Sequence, residues 1–195
     1  MAANIEIEAK VLISSEDYKK VLKHFKKEID KEYEQVNYYI DSKNFDLKQQ
    51  GIGLRIREAD GLYTLTLKAP MAEGLLEKDQ MITKEQYENL SKNKVFPEGN
   101  IKEFIIMLGY KPTSLEILAK LTTHRIEIDD GNVLTKLSLD KNDYNGITDY
   151  EIECEGDALE NAKKALGCIC SAIGIAYKDN PKSKQSRAME TIKKD

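Results

Sequence analysis

The chain has 195 residues, 41% of them hydrophobic and 33% charged, with a net charge of −4. That is long enough to bury a core as one domain over residues 1–195, too regularly apolar for disorder, and too acidic for a general nucleic-acid or membrane-surface binder. No apolar run approaches the ~20 residues of a membrane-spanning helix, and the first residues lack a signal pattern, so a cytoplasmic protein is expected. Three cysteines (Cys154, Cys168, Cys170) and two histidines (His24, His124) argue against a disulfide framework and supply too few clustered ligands for zinc. Cys168 and Cys170 stand in an apolar helical run and read as packing residues. Any metal here has to be held by carboxylates.

Period-2 patterning dominates the chain. Residues 4–13, "NIEIEAKVLI", read as a strand, followed by an amphipathic helix with Ser14 or Ser15 as its N-cap. A second strand covers "YEQVNYYID", and a short helical turn stops at Gly51. Two strands then meet at Asp60-Gly61, a dipeptide suited to a tight hairpin. "LLEKDQMIT" reads as another strand, and residues 83–110 read as helical, "TKEQYENL" opening on a capping signature and "NIKEFIIML" following after Pro97 and Gly99. Three further strands follow, "LEILAKLTTHRIEID", "NVLTKLSLDKND" and "ITDYEIECE", with hairpin turns expected at Asp130-Gly131 and Asn145-Gly146. A helix over about 157–176 and a basic tail close the chain. About eight strands joined by hairpins imply an antiparallel sheet rather than a βαβ fold.

Alternate residues of a strand share a face. Glu6, Glu8 and Lys10 therefore lie on one side of the first strand. Arg55 and Arg57 oppose Leu54 and Ile56, and Thr64, Thr66 and Lys68 oppose Leu65 and Leu67. Thr123, Arg125 and Glu127 oppose His124 and Ile126; Ser138 and Asp140 oppose Leu137 and Leu139; Glu151 and Glu153 oppose Ile152 and Cys154. Two readings are open. Each charged face can be the solvated side of an antiparallel sheet. Alternatively the faces address a ligand: arginine forks bind phosphate bidentately, and Glu-x-Glu pairs suit oxygen-seeking Mg²⁺ or Mn²⁺. No glycine-rich phosphate loop is present, so a phosphate site has to be built from side chains.

These elements, in this order, resemble the CYTH superfamily, the triphosphate tunnel metalloenzymes, and look most like its small bacterial adenylate-cyclase-like or triphosphatase-like branch. Glu6 to Lys10 matches the family's ExExK signature. "NYYID" (37–41), "GIGLRIR" (51–57), "TLTLK" ending at Lys68, "LTTHR" ending at Arg125, "LSLD" ending at Asp140, "DYEIECE" (149–155) and "SKQSRA" (183–188) follow. Any charged strand can supply ExExK by chance, whereas the ordered series is specific and covers nearly the whole chain. The resemblance implies an α+β fold, an eight-stranded antiparallel β-barrel with a charged tunnel and flanking helices. It implies Glu6, Glu8, Glu151 and Glu153 as ligands of Mg²⁺ or Mn²⁺. It implies Lys10, Arg55, Arg57, Lys68, Arg125, Lys184 and Arg187 as phosphate-binding residues, with Glu6, Glu8, Lys10 and Arg57 the catalytic set and Glu77 and Asp140 further tunnel acids. The implied activity is metal-dependent hydrolysis of a triphosphate, whether inorganic tripolyphosphate, a nucleoside triphosphate or thiamine triphosphate. The alternatives are cyclisation of ATP to cyclic AMP and a non-catalytic polyphosphate- or nucleotide-binding module. The expected partner is a small triphosphate-containing molecule, and the expected state a monomer or homodimer.

Overall fold

The segment read as one opening strand is two. In the computed structural model, which describes residues 3–72, 74–180 and 182–192, strand β1 (Ala3–Glu6) and strand β2 (Glu8–Ile13) are separated by Ile7 alone. The remaining elements are α1 (Ser15–His24), β3 (Ile29–Asp41), α2 (Asp46–Gln49), β4 (Gly53–Ala59), β5 (Leu62–Pro70), β6 (Leu75–Ile82), α3 (Lys84–Asn93), α4 (Asn100–Met107), β7 (Glu116–Ile128), β8 (Thr135–Tyr144), β9 (Ile147–Gly156), α5 (Leu159–Ile173) and α6 (Lys184–Glu190). The sheet order is β1-β6-β5-β4-β3-β7-β8-β9-β2. The count of described strands is nine rather than eight because the extended chain changes partners at Ile7, from β6 to β9, and so supplies both ends of the order. The α+β class read from the sequence holds.

Local signals explain most element boundaries. Ser14 caps α1 by accepting from the Asp17 N–H, and Thr83 with Gln86 forms a reciprocal capping box on α3. Asp60-Gly61 and Asn145-Gly146 both carry positive φ at the two central positions, the conformation of a two-residue hairpin turn. Asp130-Gly131 does not behave this way. Only Gly131 has positive φ, and residues 129–134 form a longer loop between β7 and β8, held by Asp129 and Asp130 side chains accepting from Gly131 and Asn132 N–H. The helical region expected over 83–110 forms α3 and α4 on either side of Pro97 and Gly99, as the sequence indicates.

Contacts group the described residues into two compact units, one built mainly on Gln35–Leu121 with the chain from Lys184, the other on Glu6–Glu34 and Thr122–Ser183. In the first, Leu54, Ile56, Leu65 and Leu67 are fully buried against Leu90 of α3 and Ile101 and Ile105 of α4. In the second, Val11, Leu139 and Ile152 are packed with Val21 of α1 and Leu166 and Cys170 of α5. Each fully buried aliphatic side chain contributes roughly 1.5–3 kcal/mol. Cys170 is a core residue as expected, but Cys168, two positions before it on the helix, points to the other side and is exposed.

Asp41 ends β3 and organises the turn after it. Its carboxylate is buried and accepts from the N–H groups of Ser42 (2.7 Å), Leu47 (2.9 Å) and Lys48 (3.0 Å). Burial pushes this carboxyl up, against the three donors that pull it down. Asp41→Ala is expected to lose about 3 kcal/mol, since each orphaned buried N–H costs roughly 1–3 kcal/mol. Urea unfolding checks this, and a midpoint equal to wild type would show that the turn does not depend on Asp41.

Candidate functional site

The charged face of β8 and β9 is not solvated at Asp140, Glu151 and Glu153. In the second unit the strand register places Arg125 opposite Asp140, and Asp140 opposite Glu151. One row along, Ser138 stands opposite Glu153, and Glu153 opposite Lys10. Asp140 and Glu151 are fully buried and Glu153 is 8% exposed. The apolar faces of the same strands pack against α1 and α5, so the charged side is the one left for chemistry.

Arg125 is the hinge of this cluster. Its Nε and Nη2 donate to the two oxygens of Asp140 at 2.8 and 2.6 Å, a bidentate pair, and Nη2 also donates to Glu153. Burial works against the guanidinium's charge, but Asp140 and Glu153 outweigh it and hold its pKa above the ordinary value. Lys10 pairs with Glu8 and lies 3.9 Å from Glu153. Carboxylate oxygens of Asp140, Glu151 and Glu153 all fall within 4.8 Å of one another. Three convergent oxygen donors are what Mg²⁺ or Mn²⁺ takes. The set of Glu8, Asp140, Glu151 and Glu153 with Lys10 and Arg125 carries four carboxylates against two cations, and a divalent ion would balance it. The residues therefore fit such a metal.

The first unit carries a face of three cations and two acids. Gly53, Lys68 and Glu77 form one row; Tyr39, Arg55, Thr66 and Asp79 the next; Asn37, Arg57, Thr64 and Met81 the third. Lys68 pairs with Glu77 at 3.5 Å and Arg55 with Glu77 at 3.9 Å. Arg57 Nε donates to Asn37 Oδ1 at 3.2 Å, and Thr66 Oγ1 donates to Asp79 at 2.6 Å. Helix α6 packs on this face. Gln185 Oε1 lies 3.0 Å from the place a Cβ on Gly53 would take, so a glycine there admits the helix. On the same helix Arg187 is 8% exposed, and Lys184 half-buried.

The structure thus groups the residues singled out from the sequence into two sets. Asp140, expected only as an accessory acid, converges with Glu151 and Glu153, while Glu8 is engaged by Lys10 and Glu6 closes β1. Arg55, Arg57, Lys68 and Glu77 share one face. Asn37, Tyr39 and Asp79 belong to that face and were passed over. Asn37 and Tyr39 carry no charge to search for, and Asp79 is placed only by the β5–β6 register.

Comparison with known proteins gives a match to the CYTH domain model over residues 4–181. The Bacillus subtilis (strain 168) protein called "Putative triphosphatase YjbK" is 30% identical over 194 residues, covering 100% of this chain and 99% of that one. The crystal structure of a "putative adenylate cyclase" (bh2851) from Bacillus halodurans superposes with a TM-score of 0.86 at 33% identity, over 96% of this chain and 98% of that one. HpAC1 from Hippeastrum, a "putative adenylyl cyclase" described as having a dominant triphosphatase activity, superposes with a TM-score of 0.74 at 24% identity, over 94% and 93%.

Proposed function

The chain belongs to the CYTH domain family, and from that premise we propose that it hydrolyses a triphosphate with the help of Mg²⁺ or Mn²⁺. The observation that carries this reading is the convergence of the Asp140, Glu151 and Glu153 carboxylates, buried and within 4.8 Å of one another. A module that only bound polyphosphate would need cations, and a buried knot of acids would work against it. The relationship to a protein named as a triphosphatase, across the full length of both chains, points the same way.

In this reading Asp140, Glu151 and Glu153 hold the metal, with Glu6 and Glu8 beside them. When bound, the metal offsets charge on phosphate oxygens and lowers the pKa of bound water. Arg55, Arg57, Lys68, Lys184 and Arg187 bind the non-bridging oxygens and neutralise the charge that spreads over the transferring phosphoryl group. Arg125 and Lys10 pair with the carboxylates and orient them. Water attacks the terminal phosphorus, the P–O bond to the next phosphate breaks, the leaving diphosphate carries away the electron pair, and the proton released by the attacking water passes to the product phosphates or to solvent.

Phosphate release from tripolyphosphate, ATP and thiamine triphosphate, with Mg²⁺, Mn²⁺ or a chelator, tests the proposal. Metal-dependent release is expected. Cyclic AMP as the product from ATP would replace hydrolysis by cyclisation, and binding without turnover would replace it by a binding module. Arg57→Ala is expected to lower kcat/KM about 10²–10³-fold, as removal of a transition-state charge donor does. An unchanged kcat/KM would place Arg57 outside the reaction.

A further inference from the structure

We infer that Asn37 is a substrate-binding residue, donating its side-chain N–H to an oxygen of the polyphosphate; the inference rests on the reading of this face as phosphate-binding. Asn37 is 1% exposed. Its Oδ1 accepts from Arg57 Nε, and this fixes the amide's orientation, because the flipped amide would set two donors against each other. Nδ2 is thereby left as a donor, and among the described residues nothing accepts from it. Arg55 Nε, on the diagonally adjacent position of the neighbouring strand, is a second buried donor with no acceptor.

A buried donor without an acceptor is costly to retain, and two such donors on one face call for the same remedy. Both are N–H groups, so the missing partner is an acceptor. They are flanked by Arg57, Lys68 and Arg55 itself against Glu77 and Asp79, three cations to two acids, so the face favours an anionic acceptor. A phosphate oxygen meets both conditions, and a neutral carbonyl or a water meets only the first. Asn37 then has two tasks: its oxygen steadies the Arg57 guanidinium, and its nitrogen contacts the substrate directly. An amide suits the position because it adds a donor without a further charge, where another lysine or arginine would face Arg57 at close range.

The side-chain amide resonance of Asn37 in ¹⁵N-labelled wild-type protein, assigned by triple-resonance spectra, tests this with sodium tripolyphosphate as the probe. A downfield shift of one Nδ2 proton at saturation is expected, together with a loss in tripolyphosphate affinity of about 10–100-fold in Asn37→Ala, the effect of removing a charge-assisted hydrogen bond. If tripolyphosphate binds, as seen from backbone amides of β4, while the Asn37 amide stays unmoved, the inference is wrong and the triphosphatase reading stands. If the amide shifts but no triphosphate is turned over with Mg²⁺ or Mn²⁺, the inference stands and the triphosphatase reading falls. No binding at millimolar tripolyphosphate overturns both. An Asn37→Ala protein that has lost its fold leaves the wild-type resonance to decide.

Discussion

Arg125→Leu is expected to lose roughly 3–5 kcal/mol of folding stability, the cost of leaving buried carboxylates without their partner. Asp140 is fully buried and receives two hydrogen bonds from this one guanidinium, and Glu153 receives a third. Leucine restores volume but no charge, so the acids are left to repel each other in a medium of low dielectric. A substitution at an exposed arginine would cost a fraction of this. Urea unfolding monitored by circular dichroism reads the loss directly. The double variant Arg125→Leu/Asp140→Asn should recover part of it, because one of the stranded charges is gone. A single variant within about 1 kcal/mol of wild type would show that the acids find other partners, and the account of Arg125 as their organiser would fail.

Glu151→Gln is expected to move stability and activity in opposite directions. Glu151 is fully buried beside Asp140 and Glu153, so neutralising it relieves like-charge repulsion and should leave the metal-free protein as stable as wild type or more so. In the proposed function the same change removes a metal ligand. Metal-dependent turnover should fall about 10³-fold, equivalent to roughly 4 kcal/mol of barrier. The stabilisation by Mg²⁺ or Mn²⁺ should fade with it, since a ligand at about 100 times its Kd contributes roughly 2.7 kcal/mol to the folded state. Thermal melts with and without metal, run beside the phosphate-release assay, separate these effects. Full metal-dependent turnover with an unchanged metal-induced rise in Tm would remove Glu151 from the metal centre.

The two variants probe different halves of one design. Arg125 pairs with the buried acids of the cluster, and Glu151 is one of the acids that the proposed function assigns to the metal. The order of magnitude of each effect follows from burial, which is why neither was legible as a number from residue types alone.

What the sequence by itself determined is parity. Alternation places Glu8 and Lys10 on one side, Arg55 and Arg57 on another, and Glu151 and Glu153 on a third, because successive side chains of a strand point oppositely whatever the strand packs against; Glu6, which parity would add to the first, belongs to a separate strand. The tight turns at Asp60-Gly61 and Asn145-Gly146 were equally legible, since they follow from local φ preferences. The Asp130-Gly131 turn was misread because the same dipeptide also fits inside a longer loop. Parity is silent on which side of a sheet is wet and on which residue of one strand stands opposite which residue of the next. Those are long-range properties. Only the tertiary structure decided that the acids of β8 and β9 are buried together with Arg125, that Asp140 joins Glu151 and Glu153, and that uncharged Asn37 sits among the arginines. Register and burial arise from contacts between strands far apart in the chain, and no single strand contains that information.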